Sequence, residues 1–420
     1  MKPTTERSPD PFLYQALIAL LFAGLAFTDL GIPSKPYFDE VHYVPAARAL
    51  LHRLPANLEH PMLAKEAIAL AIRIAGDHPL AWRLPSAIMG MVGLFAFGRA
   101  LWWSSGRTVA AVAGMVLLAS DFAWLIQSRI AMLDMVMAGW AMVSLWMVAR
   151  AWTLPPEARP GARRWRMALG GLAMGLAMGA KWSVVPVAVV VSVGVLAARL
   201  WRPKAPGLAF TELLLWLVSL PLLTYWLTFT PGFFYAHDAI PAWDFVGWHR
   251  YMLGLQTSVI KHHPYQSVWS DWVINWRAIW YLYEPVDGAQ RGIMLIGNPF
   301  TMLAGLVALG WCAWTGWMRR QALPLVLVAL YAASLGLWVV GGKPVQFYYH
   351  YLLPGTFLMA ALGLAVDALW DAGQRGRRAA IGILALSLGL FAWFYPIIAA
   401  LPLHKGAASF ADWMWLASWR

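Results

Sequence analysis

Apolar residues in this chain occur in runs of about 20 residues, the length of an α-helix that crosses a ~30 Å hydrocarbon core. They do not alternate with a period of about 2 or 3.6 residues, as in half-buried strands and amphipathic helices. Charged residues make up 12% of the 420 residues, about half of the ~25% that is usual in soluble domains. These features exclude a soluble enzyme, a coiled coil and a disordered chain. They predict an all-α polytopic membrane protein.

The apolar runs predict 11 transmembrane helices, at residues 12–30, 84–104, 108–126, 130–152, 166–180, 183–201, 208–230, 297–317, 322–340, 346–370 and 378–397. Loops on the N-terminal side carry a large set of basic residues, namely Lys2, Arg7, Arg107, Arg150, Arg159, Arg163, Arg164, Arg166, Arg202, Lys204, Arg319, Arg320, Arg375, Arg377 and Arg378. This asymmetry is typical of cytoplasmic loops. We therefore predict a multi-pass protein of the cell inner (plasma) membrane with a cytoplasmic N-terminus. The net charge of +12 then reflects topology and contacts with anionic membrane lipids, and no nucleic acid is expected as a partner.

Two loops on the opposite face, residues 31–83 and 231–296, are too long to be simple connections. Their amphipathic stretches, for example Val41–Leu54 and Met62–Ile74, predict short helices that lie at the membrane interface. We expect the chemistry at this extracytoplasmic face, where no ATP is available. The chain contains no Walker-type Gly-rich loop, so bond formation would use a donor that is already activated.

Asp39 and Glu40 form a pair of carboxylates directly after the first predicted span. Charged residues at the membrane are costly unless they are solvated or paired, and a carboxylate can act as a general base. The alternative is a helix N-cap, which is a common role for Asp before a helix. The position just outside the first span favours the catalytic interpretation.

Further polar residues lie in the outer loops or at the outer ends of predicted spans. Arg129 and Asp134 are five residues apart, a poor spacing for a direct pair on one helix face, so separate partners are expected. A structural ion pair is the alternative role for such residues, and Lys181 could simply extend its ammonium toward the headgroups. His60 and Lys65 could belong to a turn with polar caps.

The segment from His262 to Glu284 mixes Trp and Tyr with His, Gln, Ser, Asn and Arg. Aromatic residues alone would be typical of an interfacial belt, but the polar residues between them favour a sugar or phosphate site. A metal site at His262 and His263 is an alternative, although carboxylate or Cys ligands at a recognisable spacing are missing. At another outer turn, Lys343 could bind an anion or could only flank its span.

Taken in order, these motifs resemble those of the protein O-mannosyltransferases over nearly the whole chain. The matching segments are Asp39-Glu40, His60-Pro61 with Lys65, Gln127-Ser128-Arg129 with Asp134, His263-Pro264-Tyr265-Gln266-Ser267 with Trp269 and Arg277, Tyr283-Glu284, Gly297-Asn298-Pro299, and Tyr348-Tyr349-His350-Tyr351. Eukaryotic members carry a β-trefoil domain in the large outer loop before His263, and residues Tyr235 to Gly254 leave no room for one. The resemblance is therefore to the bacterial branch of the family.

The resemblance implies an integral membrane glycosyltransferase that moves mannose from polyprenyl-phosphate-mannose to Ser or Thr hydroxyls of exported proteins, with inversion. Residues 1–230 would form an N-terminal glycosyltransferase membrane domain with catalytic outer loop 31–83. Residues 231–420 would form a C-terminal membrane region with outer loop 231–296 and four transmembrane helices. The acceptor proteins could arrive through the secretion machinery.

Within this function, we assign Asp39 as the base and Glu40 as the residue that orients the acceptor or the sugar. Arg129 is the first choice for the donor phosphate, because a guanidinium can hold two phosphate oxygens. The remaining phosphate ligands would be Lys181, Lys343 and Arg277. The sugar and the acceptor would contact the other candidates, which are His60, Asp134, His263, Tyr265, Gln266, Trp269, Tyr349 and His350. No step requires a metal or a soluble cofactor, and a bound divalent cation stays an open alternative.

Two other functions stay open at this point. A related enzyme could move a lipid-linked sugar to lipid A or to a cell-envelope glycan; it would share the acidic pair but lack the His263-Pro264-Tyr265 segment. A transporter or flippase would show internal repeats and polar residues at mid-membrane. The polar residues of this chain instead cluster in its outer loops.

Overall fold

The computed structural model describes residues 7–155, 157–201, 207–258 and 262–420. Three of the basic residues used for the topology, Lys2, Arg202 and Lys204, lie outside this part of the chain. The described residues are mostly helical, which confirms the predicted fold class. In the first half of the chain the helices are α1 (Phe12–Phe27), α2 (Glu40–Leu51), α3 (Leu63–Ala75), α4 (Pro79–Ser105), α5 (Thr108–Ala119), α6 (Phe122–Ser128), α7 (Leu133–Trp152), α8 (Pro160–Ala180), α9 (Val185–Trp201), α10 (Phe210–Leu214), α11 (Leu220–Leu227) and α12 (Thr230–Phe233).

The second half of the chain contains six more helices and a pair of strands. The helices are α13 (Phe245–Ser258), α14 (Trp269–Val273), α15 (Pro299–Met318), α16 (Ala322–Val340), α17 (Leu352–Asp371) and α18 (Gln374–Ile398). The strands are β1 (Ile279–Val286) and β2 (Ala289–Leu295). Helices α1, α8 and α16 have their C-termini on one side of the bundle, which we call the upper end. Helices α4 and α7 have their C-termini on the opposite side, which we call the lower end.

The number of membrane spans differs from the prediction. In the described part of the chain, eight helices are long and apolar enough to cross a membrane, or nine if the bent pair α5 and α6 counts as one span. Helix α1 is apolar but has only 16 residues, and α8 starts with a basic segment. Every predicted span contains a helix, but the count of 11 is not confirmed. The predicted amphipathic stretches correspond to α2 and α3.

Strands β1 and β2 form an antiparallel hairpin in the second long loop, which the sequence analysis did not predict. Its two-residue turn, Asp287 and Gly288, has φ values of 51° and 74°, as hairpin turns with two left-handed residues require. The hairpin holds the loop before α2 in place: the Asp287 carboxylate accepts hydrogen bonds from the amide (2.8 Å) and hydroxyl (2.5 Å) of Ser34, and Lys35 forms an ion pair with Glu284 at 2.7 Å.

Helix α5 ends at Ala119 and the chain turns by 63° into α6. Asp121 stabilises the start of α6, since its Oδ1 accepts a hydrogen bond from the Trp124 amide at 2.9 Å. The short α6 then ends at Ser128, and the residues that follow bond the segment around α2: the Arg129 carbonyl accepts from the Tyr37 hydroxyl at 3.0 Å, and the Ala131 amide donates to Glu40 at 2.9 Å. One buried apolar core contains residues from both predicted domains, and the division at residue 230 stays a prediction.

Helix α8 packs closely against α11 through glycines spaced four residues apart, Gly171, Gly175 and Gly179. A Cβ atom on Gly175 would lie 2.6 Å from the Pro221 carbonyl oxygen, and one on Gly179 would lie 2.6 Å from the Thr228 hydroxyl. Small residues at this spacing let two membrane helices approach backbone to backbone. The contact fixes the upper end of α8, where Lys181 follows the last turn.

We therefore expect Gly175→Ala to lower the melting temperature in detergent, because overpacking typically costs about 1–3 kcal/mol. The matched control is Gly194→Ala in α9, where a Cβ would meet no atom within 4 Å. That control should leave the melting temperature unchanged or raise it, because Ala favours helix over Gly. A Gly175→Ala protein as stable as the wild type would contradict the close α8–α11 contact.

Candidate active site

Asp39 stands at the upper end of the bundle, immediately before α2, with a half-buried side chain. Its carboxylate makes no hydrogen bond to the first turn of α2, which argues against the N-cap alternative. The charged groups that act on it are Lys181, His42, Asp134 and Lys343. Burial raises the pKa of Asp39 to about 6, although the nearby Lys181 ammonium works in the opposite direction.

The backbone before Asp39 is held in an unusual conformation. Phe38 has a φ of 47°, a left-handed conformation that costs a non-glycine residue about 1–2 kcal/mol. Its ring stacks on Tyr281 of β1, with 4.0 Å between the ring centroids. The hairpin therefore holds the turn that aims Asp39, and residues kept in such conformations are often found at functional sites.

Glu40 has a different environment from that of Asp39. It is fully buried and forms a two-pronged ion pair with Arg83, with Nε–Oε1 at 2.8 Å and Nη2–Oε2 at 2.9 Å. Its oxygens also accept hydrogen bonds from the Ala131 amide at 2.9 Å and the Tyr37 amide at 3.3 Å. The expectation that Glu40 touches the acceptor or the sugar does not match these contacts, because both oxygens are already bonded inside the protein. These bonds hold the start of α2 in place, directly after Asp39.

Arg129 also has other partners than the predicted phosphate. Its Nη1 donates hydrogen bonds to the carbonyl oxygens of Leu25 (2.9 Å), Ala26 (3.0 Å) and Thr28 (2.6 Å), and the side chain is buried. These carbonyls are at the end of α1, where they have no partner within the helix. These contacts make Arg129 a cap of α1, and its role as the first phosphate ligand stays a prediction that they do not support.

Asp134 and Lys181 bind each other. The Lys181 Nζ lies 2.7 Å and 2.8 Å from the two carboxylate oxygens of Asp134, and both side chains are buried. The expectation that Arg129 and Asp134 have separate partners is confirmed. Lys181 also lies over Tyr349, with its Nζ 4.7 Å from the ring centroid, and an ammonium with three donors keeps one for a further ligand.

Lys343 lies in the turn after α16 and is half-buried. Among the described residues, no acceptor lies within hydrogen-bond distance of its ammonium. Burial, together with the Lys181 charge, lowers the pKa of Lys343 to about 8, although Asp134, Asp39 and Glu59 favour its charged form. Lys181 and Lys343 therefore bring two positive charges to the region that Asp39 faces.

His60, Tyr349 and His350 surround the two lysines. Burial lowers the pKa of His60 well below its ordinary value, with Lys343 and Lys181 contributing, so that its imidazole is neutral at pH 7. His350 stacks on Trp338 at 3.7 Å, and its Nε2 is buried without a partner among the described residues. Tyr349 packs at 4.5 Å from His350.

The predicted segment after His262 lies at the edge of this cluster. The His263 ring contacts Phe347 at 5.1 Å, and Phe347 stacks on Tyr349 at 5.5 Å. The other members of the segment mainly stabilise its turn: Gln266 accepts a hydrogen bond from the His263 amide at 3.1 Å, and Arg277 donates one to the Pro264 carbonyl at 2.6 Å. Tyr265 packs on His263, and Trp269 begins α14 with a partly exposed side chain. The phosphate role of Arg277 stays a prediction, since this contact uses only its Nη2.

Sequence reasoning missed several residues of the site. Arg83, the buried partner of Glu40, was not among the predicted site residues, although an arginine close to a membrane helix is itself a signal of function. Tyr281 of β1 and Gln127 of α6 are also buried, and the Tyr281 hydroxyl and both polar atoms of the Gln127 amide have no hydrogen-bond partner among the described residues. In the described part of the chain, no three His, Cys, Asp or Glu side chains are arranged to hold a metal.

Below the site, an apolar cavity of about 660 Å³ lies between α4, α7, α9, α16 and α17. Its lining includes Val191 and Val195 of α9 and Val326 and Leu330 of α16. Lys181 precedes α9 at the upper end and Lys343 follows α16 there. Two of the five helices that line the cavity, α9 and α16, therefore also lead to the two lysines.

Known proteins match this chain in sequence and in fold. A family model for dolichyl-phosphate-mannose-protein mannosyltransferase matches residues 77–237, and one for the C-terminal four-transmembrane region of protein O-mannosyltransferase matches residues 242–419. The polyprenol-phosphate-mannose–protein mannosyltransferase of Mycolicibacterium smegmatis is 27% identical over 96% of this chain and 92% of its own length. The protein of the same name from Corynebacterium glutamicum is 27% identical over 96% of this chain and 93% of its own length.

Two solved structures share the fold at low sequence identity. The S. cerevisiae protein O-mannosyltransferase Pmt1–Pmt2 complex bound to the sugar donor aligns with a TM-score of 0.82 and 15% identity, over 97% of this chain and 92% of that one. ArnT from Cupriavidus metallidurans bound to undecaprenyl phosphate aligns with a TM-score of 0.61 and 16% identity, over 91% of this chain and 76% of that one. The two family models together cover most of the sequence. The chain belongs to the protein O-mannosyltransferase family.

Proposed function

We propose that this protein transfers mannose from polyprenyl-phosphate-mannose to Ser or Thr hydroxyls of exported proteins, with inversion at the anomeric carbon. The observation that carries the proposal is the half-buried Asp39 carboxylate, which has no capping hydrogen bond and lies near Lys181 and Lys343. The names of the curated relatives support the same donor and acceptor class. The family-model match over residues 242–419 includes His263-Pro264-Tyr265 and favours a protein acceptor over lipid A or a glycan.

Asp39 would act as the general base. The acceptor oxygen forms a bond to C1 of mannose while the bond from C1 to the phosphate oxygen breaks, and the hydroxyl proton moves to the Asp39 carboxylate. Attack on the face opposite to the leaving phosphate inverts the configuration at C1. The phosphate leaves as an anion, so the reaction needs no general acid.

Lys181 and Lys343 would bind the donor phosphate and stabilise the charge that grows on it as the bond breaks. Lys343 has no acceptor among the described residues, and Lys181 has a donor left beside Asp134. Arg129 is left out of the phosphate site because its Nη1 contacts backbone carbonyls, and Arg277 because it bonds the Pro264 carbonyl in the turn at the edge of the cluster. No metal ion enters this scheme, and a requirement for one stays untested.

The apolar cavity between α9 and α16 could hold part of the polyprenyl chain. A lipid whose phosphate lies between Lys181 and Lys343 at the upper end would extend along these two helices into the cavity. At the phosphate end, the Tyr281 hydroxyl, the Gln127 amide and His350 Nε2 are buried polar groups that have no partner in the described part of the chain. Such groups are costly to bury, and sugar hydroxyls could pair with them.

This arrangement implies an orientation. Asp39 and the two lysines lie at the upper end, whereas Arg107, Arg150 and Arg319 lie at the lower end. By the positive-inside rule the lower end is cytoplasmic, which leaves the active site extracytoplasmic in the inner membrane. There it can meet proteins that leave the secretion machinery.

We expect Asp39→Asn to reduce kcat by about 100-fold or more, the usual contribution of a general base, with little change in donor affinity. The measurement uses purified protein in detergent, radiolabelled polyprenyl-phosphate-mannose and exported proteins of the source membrane. Asp238→Asn is the matched control, because its carboxyl is exposed in the second outer loop. Full activity of Asp39→Asn would exclude Asp39 as the base.

The same assay distinguishes the acceptor classes when label is followed into protein, lipid and glycan fractions. Label on Ser or Thr that is lost in Asp39→Asn supports the proposal. Label that enters only lipid or glycan would instead indicate the related class of lipid-sugar transferase, with the same base and the same phosphate ligands.

The pH dependence of kcat/KM should be bell-shaped. Activity should rise as the pH increases through about 6, because only the ionised Asp39 accepts a proton. It should fall above about 8, where Lys343 loses its charge. Lys343→Arg should move the basic limb to higher pH, since a guanidinium stays charged there, and should leave the acidic limb in place. If the basic limb did not move, the loss of activity at high pH would come from a group other than Lys343.

Removing the charge at Lys343 should weaken donor binding. We expect Lys343→Gln to raise the KM for polyprenyl-phosphate-mannose about tenfold, the effect of losing one charged hydrogen bond. Lys405→Gln is the control, because Lys405 is an exposed lysine that pairs with Asp412 at 2.7 Å. If both variants had the same KM, Lys343 would not be a phosphate ligand.

A further inference from the structure

Three arginines surround one tryptophan at the lower end of the bundle, far from the candidate active site. The guanidinium carbons of Arg7, Arg150 and Arg99 lie 4.4 Å, 4.6 Å and 6.0 Å from the centroid of the Trp103 ring. A fourth arginine, Arg166 at the start of α8, is close enough to Arg150 to be repelled by it. We call these four side chains the arginine cluster.

The positive charge of the arginine cluster is only partly neutralised. Among the described residues, Asp10 is the one carboxylate that pairs with it, through two hydrogen bonds from Arg99 at 2.5 Å and 3.0 Å. Within the described ranges, the Arg7 guanidinium donates a single hydrogen bond, to the Thr153 carbonyl at 3.0 Å. Burial and the nearby Arg150 charge lower the pKa of Arg7. The cluster therefore keeps an excess of positive charge at close range.

Several polar atoms of the cluster are buried and have no partner. They are the Nε atoms of Arg99, Arg150 and Arg166 together with the indole nitrogens of the neighbouring Trp102 and Trp103, all without a hydrogen-bond acceptor among the described residues. Basic residues that act only as topology signals need no such burial or stacking. A set of half-buried donors with an excess of positive charge is instead typical of a site for an anion.

The cluster continues into an apolar surface on the membrane side. Phe12 of α1 contacts Phe95 of α4 edge to face at 5.7 Å, and Phe95 contacts Trp146 of α7 in the same way at 5.7 Å. Phe12 is half exposed, and the Arg99 guanidinium lies over its ring at 5.6 Å. The cavity below the active site is lined by other residues of α4 and α7.

We propose that the arginine cluster binds the phosphate of an anionic phospholipid in the leaflet at the lower end, with an acyl chain against Phe12, Phe95 and Trp146. Charge complementarity selects an anionic headgroup, and the apolar surface below the guanidiniums selects a lipid over a soluble anion. The site is independent of the proposed mannosyl transfer.

Native mass spectrometry of the detergent-solubilised full chain tests this proposal, with dioleoyl-phosphatidylglycerol and dioleoyl-phosphatidylcholine added in equal amounts. The wild type should retain phosphatidylglycerol in preference to phosphatidylcholine. Arg150→Gln should reduce this retention about tenfold, as expected for the loss of a charged hydrogen bond. Arg319→Gln is the matched control, because Arg319 lies over a single tryptophan, Trp314, at 4.9 Å at the same end. It should change retention less than about twofold.

Arg7→Gln gives a second test that leaves the helix packing intact, because Arg7 precedes α1, and it should also reduce retention of phosphatidylglycerol. Equal retention of the two lipids by the wild type would overturn the proposal. It would also be overturned if Arg150→Gln and Arg7→Gln both retained as much phosphatidylglycerol as the wild type does. Inorganic phosphate that raises the melting temperature as much as phosphatidylglycerol does would indicate a soluble anion and overturn the lipid assignment.

Discussion

The buried ion pair between Arg83 and Glu40 is the contact on which the upper end of the bundle depends. All five donors of Arg83 have acceptors, because Nη1 and Nη2 also bond the carbonyls of Leu30, Pro33 and Lys35. One side chain of α4 therefore holds the whole loop that leads to α2. Removing one partner of such a pair typically costs about 3–5 kcal/mol, and Asp39 is the residue next to it in the chain.

The sequence predicted which residues gather at the site better than it predicted their roles. The apolar runs and the loop charges place the upper ends of several spans on one side of the membrane. Each of Asp39, Lys181 and Lys343 lies next to such an end, so the three residues come close together. Glu40 and Arg129 belong to motifs that resemble the family equally well. The partner of Glu40 is nevertheless Arg83, and the partners of Arg129 are carbonyls at the end of α1. Those contacts join residues 43 and 104 positions apart, and the local sequence carries no sign of them.

The differences in secondary structure have similar causes. The hairpin carries an Asp287-Gly288 pair, which is a recognised turn signal, but its first strand is buried along four successive residues and lacks alternation. The bend between α5 and α6 was hidden inside one apolar run, since only Ser120 and Asp121 interrupt it. Apolar runs report how much of a chain can lie in a membrane, but they do not report where a helix ends within it.

The elevated pKa of Asp39 has a consequence for its strength as a base. An ordinary aspartate, with a pKa of about 3.9, is ionised almost completely at pH 7 but holds a proton weakly. At a pKa of about 6, roughly nine in ten Asp39 carboxyls are still ionised at pH 7, while the affinity for a proton is about a hundredfold higher. Partial burial thus gives the proposed reaction a stronger base without withdrawing the side chain from its reactive form.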